Sequence, residues 1–255
     1  LRIATPHWPL PEPSSWDTTT AQALLPALCV ELTLAPDPKR GPVALVFGLG
    51  VGRAVQRLVT LGAGCVGVTW DGRHGVASDT EGAESWVHVD EAGWVRERAC
   101  FGLGTCGGVG LRVGAGQGAR LRLVLGAFSA ESATSQPAAR AAFARYFDSL
   151  SSVLRAALDG FEQRLALAES QDRQLAAELP DEHQRFLVVH ATRSYWGNSV
   201  LTEVEGHPRW TVFEGEYAMM NTLDLSVDHL FFELFHHPWL LRSVCDQFID
   251  GYSYR

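Results

Sequence analysis

Phe213-Glu214-Gly215-Glu216-Tyr217 sets two carboxylates on either side of a glycine, with an aromatic ring at each end. In extended backbone, side chains two apart point to the same face, so Glu214 and Glu216 would project together. Further on, Asp224 and Asp228 stand four apart, the spacing that shares one face of a helix. Trp210, Tyr195 and Trp196 offer flat apolar surfaces that could stack on a sugar ring, and Arg193 and Asn198 offer groups that could bind hydroxyls. Acids for proton transfer or nucleophilic attack, set among aromatic faces, have the composition of a carbohydrate site. The plainer reading of the same residues is a solvated acidic turn followed by an ordinary amphipathic helix.

Two other patterns compete. Val43-Ala44-Leu45-Val46-Phe47 reads as a strand, and the following Gly48-Leu49-Gly50-Val51-Gly52-Arg53 imitates the opening of a dinucleotide-binding β-α-β unit, with Asp71 beyond the next apolar run. Arg53 stands where that fingerprint needs its third glycine, and residues 53–62 are short for a crossover helix. A glycine-rich turn or bulge is the expectation there. Among the histidines, His183/His190 and His229/His236 could each share a helix face, but no HExxH occurs. The adjacent His236-His237 cannot both reach one metal from a regular helix, so structural or surface histidines are expected. Cys29, Cys65, Cys100, Cys106 and Cys245 form an odd set without a CxxC pair, which reads as reduced structural thiols.

The elements that must hold these residues follow from a change in composition. Residues 1–128 carry 20 of the 25 glycines and 8 of the 12 prolines, whereas 17 of the 25 aromatic residues come later, which predicts a β-rich unit followed by a helical one. Short strands are expected at 28–34, 43–47, 65–70, 86–89, 109–113 and 121–125, with the alternation Leu121-Arg122-Leu123 marking a half-buried strand. The proline-rich stretch from Pro6 to Pro13 suits an edge or loop, and the glycine-rich 102–118 suits a loop joining strands. An all-β sandwich fits these pieces. After Pro137, which suits a first helical turn, Phe143, Phe147, Leu150, Leu154, Leu158, Phe161 and Leu165 fall on one helical stripe, with Gly160 as a kink or break. A second helix is expected from Pro180-Asp181, capped by Asp181, to Trp196, where Gly197-Asn198 supplies a stop. A strand-like stretch over 198–217 precedes helices at 225–236 and 238–249.

Bulk properties narrow the function class. The 255 residues (27.8 kDa, 46% apolar) can bury a sizeable core in one large domain or two ordinary ones. A net charge of −8 and a pI near 5.6 weigh against a nucleic-acid partner. No apolar run approaches the ~18 residues of a membrane span. The chain opens at Leu1-Arg2-Ile3 without an initiator Met and closes at Tyr252-Ser253-Tyr254-Arg255, so it reads as an internal fragment, and the lack of a signal peptide says nothing about location.

A longer pattern joins the candidate residues. His190-Ala-Thr-Arg193-Ser-Tyr195-Trp-Gly-Asn198, then Glu205-Gly-His-Pro-Arg-Trp210-Thr-Val-Phe-Glu214-Gly-Glu216-Tyr-Ala-Met-Met220-Asn221-Thr-Leu-Asp224-Leu-Ser-Val-Asp228-His-Leu-Phe-Phe-Glu233, resembles glycoside hydrolase family 52. These are bacterial β-xylosidases distantly similar to the family 116 β-glucosidases. The likeness is dense from about 186 to 254 and weaker over 1–180, where it rests on element order and patches such as Phe47-Gly48. It implies a mixed β and α protein: a partial N-terminal β-sandwich over 1–130, linker helices over 131–178, and the first helices of an (α/α)6 barrel over 179–255. It implies a retaining enzyme that releases xylose from the non-reducing ends of xylo-oligosaccharides, with Glu214 as nucleophile.

On the same resemblance, Glu216, Asn221 and Asp224 orient that nucleophile or bind sugar hydroxyls. Arg193, Tyr195, Asn198 and Trp210 complete the substrate contacts, and Arg193 and Asn221 are candidate donors that keep Glu214 ionised. Asp228 and Glu233 are as readily structural. The general acid would lie beyond Arg255, so this chain by itself is expected to be inactive. No cofactor or metal is implied. The expected partner is a xylo-oligosaccharide rather than nucleic acid or membrane, a homo-oligomer of the full-length protein stays open, and the location is cytoplasmic in a bacterium. The rivals are a β-glucosidase of the related family, a non-catalytic carbohydrate-binding remnant, and a nucleotide module at Gly48–Gly52.

Overall fold

A computed structural model describes residues 1–5, 8–50, 54–62, 64–90, 102–131, 139–215 and 219–252. Their strands are β1 (Arg2–Ala4), β2 (Ala27–Leu34), β3 (Val43–Gly50), β4 (Gln56–Thr60), β5 (Val66–Trp70), β6 (His74–Ser78), β7 (Ala83–His88), β8 (Leu103–Gly104), β9 (Cys106–Val113), β10 (Ala119–Ala127), β11 (Arg140–Ala141), β12 (Ser199–Val204), β13 (His207–Glu214) and β14 (Met219–Met220). Their helices are α1 (Thr20–Leu24), α2 (Leu150–Asp159), α3 (Phe161–Glu178), α4 (Glu182–Gly197), α5 (Leu223–His236) and α6 (Pro238–Tyr252). The fold is thus mixed β and α. It divides into two compact units, Leu1–Pro6, Leu25–Phe128 and Phe147–Ala168 in the first, and His7–Leu24, Ser129–Tyr146 and Glu169–Arg255 in the second. Among the described residues no helix is long and apolar enough to cross a membrane.

The first unit is organised by alternation along β10. Leu121 and Leu123 point into a core shared by a seven-stranded antiparallel sheet, in the order β1-β2-β10-β6-β5-β4-β8, and a three-stranded one, β3-β9-β7. Val30, Val68, Val76, Val87 and Val109 fill the same core. Each such side chain contributes about 1.5–3 kcal/mol by leaving water. The even-numbered positions of β10 face the other way. There Val124 and Gly126 lie under α2, and Arg120 and Arg122 both bind Glu162 in the first turn of α3, at 2.9 and 3.1 Å. A Cβ on Gly126 would come within 3.0–3.1 Å of Leu154 and Val153, so glycine permits the close seating of α2.

Three expectations are corrected in this unit. Gly48 and Gly50 form neither a turn nor a bulge: β3 runs straight through them and pairs with β9, Gly48 opposite Gly108 and Gly50 opposite Cys106. A Cβ on Gly107 would stand 2.9 Å from the Trp86 carbonyl oxygen, and one on Gly108 would collide with the Phe47 carbonyl, so these glycines serve strand contact. Residues 56–60 form β4, hydrogen-bonded to β5, where a dinucleotide fold needs a crossover helix. The nucleotide module is therefore excluded; Gly52 and Arg53 themselves lie outside the described residues. The stretch 102–118 holds β8 and β9 rather than one long loop. Pro137 and Cys100 also fall outside the described residues.

The expected stripe over 143–165 is divided by capping chemistry. Ser149 and Ser152 form a reciprocal capping box that starts α2 only at Leu150, leaving Phe143 in a short 3-10 turn, Ala142–Arg145. Gly160 closes α2, and α3 begins at once with Phe161.

The second unit combines the four-stranded antiparallel sheet β11-β12-β13-β14 with α1 and α4–α6. Asp181 caps α4 by accepting from the Gln184 amide at 2.8 Å, and Asn198 ends it. Glu205 and Gly206, at φ 52° and 82°, make the two-residue loop that folds β12 onto β13, both in the left-handed region such hairpins need. The core gathers Tyr195, Leu201, Trp210, Val212, Trp239 and Leu240. Leu10 joins them, its carbonyl accepting from the Trp239 indole at 3.0 Å.

Candidate active site

Glu214 is the last residue of β13, half-buried, and Gly215 at φ 42° turns the chain away immediately after it. The backbone leading to it is held from several sides. Phe213 N–H donates to the Asn198 carbonyl at 2.7 Å, and Trp210 N–H donates to the Ser243 hydroxyl at 3.0 Å. Asn221 supplies the closest support. Its side-chain oxygen accepts from Val212 N–H at 2.8 Å, and its amide nitrogen donates to the Trp210 carbonyl at 3.0 Å. Its own backbone N–H donates to the Val212 carbonyl at 2.9 Å. Asn221 does this while 8% exposed and at φ 45°, a conformation asparagine tolerates better than other non-glycine residues.

Beside Glu214 opens a cavity of about 500 Å³. Three elements build its wall: α4 with Tyr195 and the capping Asn198, the end of β13 with Phe213 and Glu214, and α5 with Leu225, His229 and Phe232. Most of that wall is apolar, so a ligand would meet apolar surface beside a carboxylate.

Behind the wall runs a buried polar chain. The Trp210 indole donates to the Tyr195 hydroxyl at 2.9 Å, and that hydroxyl donates to Glu233 at 2.8 Å. Glu233 is 2% exposed, and burial pushes its carboxyl above the usual range, an effect the Tyr195 hydrogen bond opposes. Burial, then the neighbouring Glu233 charge, pushes the Tyr195 phenol well up, so it stays protonated as a donor. The Tyr195 ring meets Phe232 and His229 edge-on at 4.8 and 5.0 Å. Burial also lowers the His229 imidazole, and Asp228 acts against that.

Of the residues singled out in the sequence, Glu214, Tyr195 and Asn198 line this one cavity. Trp210 and Asn221 lie behind it, with the Trp210 ring in the core edge-on to Trp196 at 5.5 Å. Arg193 and Asp224 are exposed and away from the lining, and Asp224 sits in the first turn of α5, where the neighbouring Thr222 side chain and the Leu225 backbone N–H lower its carboxyl. Glu216 lies outside the described residues. From the sequence, His229 is considered only with His236 as a possible metal pair, where a structural or surface role is expected, and Phe232 is not singled out at all. The signal was the spacing Leu225, His229, Phe232, which places an imidazole between two apolar neighbours on one helical face. Among the described residues no group of three or more His, Cys, Asp or Glu is placed to hold a metal ion.

Comparison with known proteins adds a family. The profile described as Glycosyl hydrolase family 52 matches residues 1–255. A Beta-xylosidase of Geobacillus stearothermophilus is 31% identical over 262 residues, covering 99% of this chain and 37% of that protein. Another Beta-xylosidase of the same organism is 43% identical over 113 residues, 44% of this chain and 18% of that protein. The chain thus spans little more than a third of the length of the first of these relatives.

Proposed function

The chain belongs to glycosyl hydrolase family 52, and on that premise we propose that it is part of a retaining β-xylosidase that releases xylose from the non-reducing ends of xylo-oligosaccharides. The observation that carries this reading is Glu214 standing at a largely apolar cavity next to Tyr195 and Asn198, on backbone braced by Asn221. In the proposed reaction the ionised Glu214 carboxylate attacks the anomeric carbon while a second carboxyl group protonates the leaving oxygen. The C–O bond to the leaving sugar breaks as the ester to Glu214 forms. Water, deprotonated by the second group, then hydrolyses that ester with overall retention. The two carboxyls must lie about 5–5.5 Å apart for direct attack. We assign the second group to sequence beyond Arg255, so the 255-residue chain alone would lack half of its catalytic pair. The reaction needs water and two carboxyl groups and no cofactor.

For the finer architecture we propose a partial β-sandwich from the two sheets that share a core, then linker helices, then the opening helices of an (α/α)6 barrel. The last part is supported by α4 and α5, which present Phe186, Leu187, Val227, Phe231 and Phe235 to solvent in this chain. Apolar faces of that size call for cover.

The test uses the complete protein that carries this sequence, with aryl β-xyloside and aryl β-glucoside substrates. Glu214→Ala is expected to lower kcat by about 10⁴-fold or more. Added azide should restore turnover and yield a glycosyl azide of inverted configuration. Full activity in Glu214→Ala would remove the assignment, and faster cleavage of the glucoside would replace xylosidase by glucosidase.

A further inference from the structure

His229 sits midway along the cavity face of α5, with Leu225 one turn before it and Phe232 one turn after. It is the only polar side chain that α5 contributes to the lining. A ring needed for packing alone could be phenylalanine at that place. Instead the imidazole keeps Nδ1 shut away from solvent with no hydrogen-bond partner among the described residues. An N–H buried without an acceptor is a heavier loss than an idle lone pair, so the ring proton belongs on Nε2. Nε2 also makes no hydrogen bond within the described protein, which leaves its N–H available at the cavity. The ring orientation is fixed from behind: His229 lies edge-on to Tyr195, whose hydroxyl is held by Glu233 and Trp210.

We propose that His229 is a substrate-binding residue of this cavity, its Nε2–H donating a hydrogen bond to one hydroxyl oxygen of the bound glycoside. The proposal rests on the glycosidase reading of the same cavity. Burial keeps the imidazole neutral near neutral pH, so it meets a neutral sugar without bringing a competing charge close to Glu214. A rigid donor in a largely apolar wall discriminates by hydroxyl position, because a sugar lacking that hydroxyl leaves the N–H without its partner once the ligand covers the site.

The complete protein would be assayed on an aryl β-xyloside and its 2-, 3- and 4-deoxy analogues, comparing wild type with His229→Phe and His229→Asn. Phenylalanine keeps the ring against Tyr195, and asparagine keeps a donor. His229→Phe is expected to lower kcat/KM on the parent substrate by about tenfold. That loss should disappear on one deoxy analogue, and His229→Asn should recover part of it. An equal loss on every analogue, or none on the parent, would overturn the proposal. So would loss of the folded circular-dichroism spectrum in both variants, since the ring would then serve packing. A wild-type protein that cleaves neither xyloside nor glucoside would fail the glycosidase reading itself, an outcome distinct from unequal behaviour of the variants.

Discussion

At the scale of single residues, this chain shows how burial changes the meaning of a side chain that composition can only name. Trp210 reads in the sequence as a flat face for sugar, yet its indole is in the core and its N–H is committed to Tyr195. No local pattern reports that commitment, because its partner is set by the crossing of β13 and α4. His237 is a second case. It follows α5, is 7% exposed, and burial together with the His236 charge holds its imidazole at about 4 rather than the ordinary 6.5. As pH falls through 6.5 the unfolded chain takes up this proton while the folded one does not, so stability falls across pH 6.5 to 4 and levels off below it. The full shift corresponds to about 3 kcal/mol. Glu233 acts in the opposite sense: its raised carboxyl takes up a proton earlier in the folded state, so its contribution is present at low pH and is lost as pH rises. Replacing His237 by Gln removes one titration and leaves the other. The thermal midpoint of the complete His237→Gln protein should therefore fall less than that of wild type between pH 7 and 4.5. Parallel pH curves for the two proteins would contradict the buried neutral imidazole.

At the scale of elements, what was legible is what neighbouring residues decide. The span of α4 follows from Asp181 at one end and Gly197-Asn198 at the other. The positions of α5 and α6 follow from helical spacing and Pro238. β4 was missed because five residues with mixed polarity carry too little period to distinguish strand from helix. Asn221 marks the limit of such reading. Its amide serves as a strand partner for β13, supplying two hydrogen bonds next to the Phe213–Met220 pairing of β13 with β14. Asn221→Ala would leave the Val212 N–H without its side-chain acceptor and put alanine at φ 45°, whereas Gln247 would still donate to the Trp210 carbonyl at 2.8 Å. The sum is expected to cost about 2–4 kcal/mol. Asn221→Gly relieves the backbone term and loses only the bonds, so its thermal midpoint should lie between those of Ala and wild type. Both variants should lower kcat, because Glu214 loses its brace two residues upstream. A fully active, fully stable Asn221→Ala would show that β13 is held without it.

At the scale of the whole molecule, the compositional change near residue 128 reports β against α but not which segments pack together. Leu10 and Trp16, from the proline-rich start, belong to the core around Trp239, and only the fold could bring residues 229 apart in sequence within 3.0 Å. The converse also holds, since α5 is apolar on more than one side. Leu225 and Phe232 face the cavity, while Val227, Phe231 and Phe235 are 59%, 78% and 83% exposed. A helix apolar around most of its circumference is normally buried on most of it. If the proposed barrel is right, the longer protein covers these residues with further helices. Phe235→Asp then places a charge in an apolar interface and should cost the complete protein about 3 kcal/mol or more, read as a lower thermal midpoint and reduced soluble yield. The same substitution in the 255-residue chain alone exchanges one solvent-facing side chain for another. Its effect there should stay within about 0.5 kcal/mol, with better solubility. Equal tolerance in both proteins would mean that this face of α5 stays open, and the barrel would lose its main structural support.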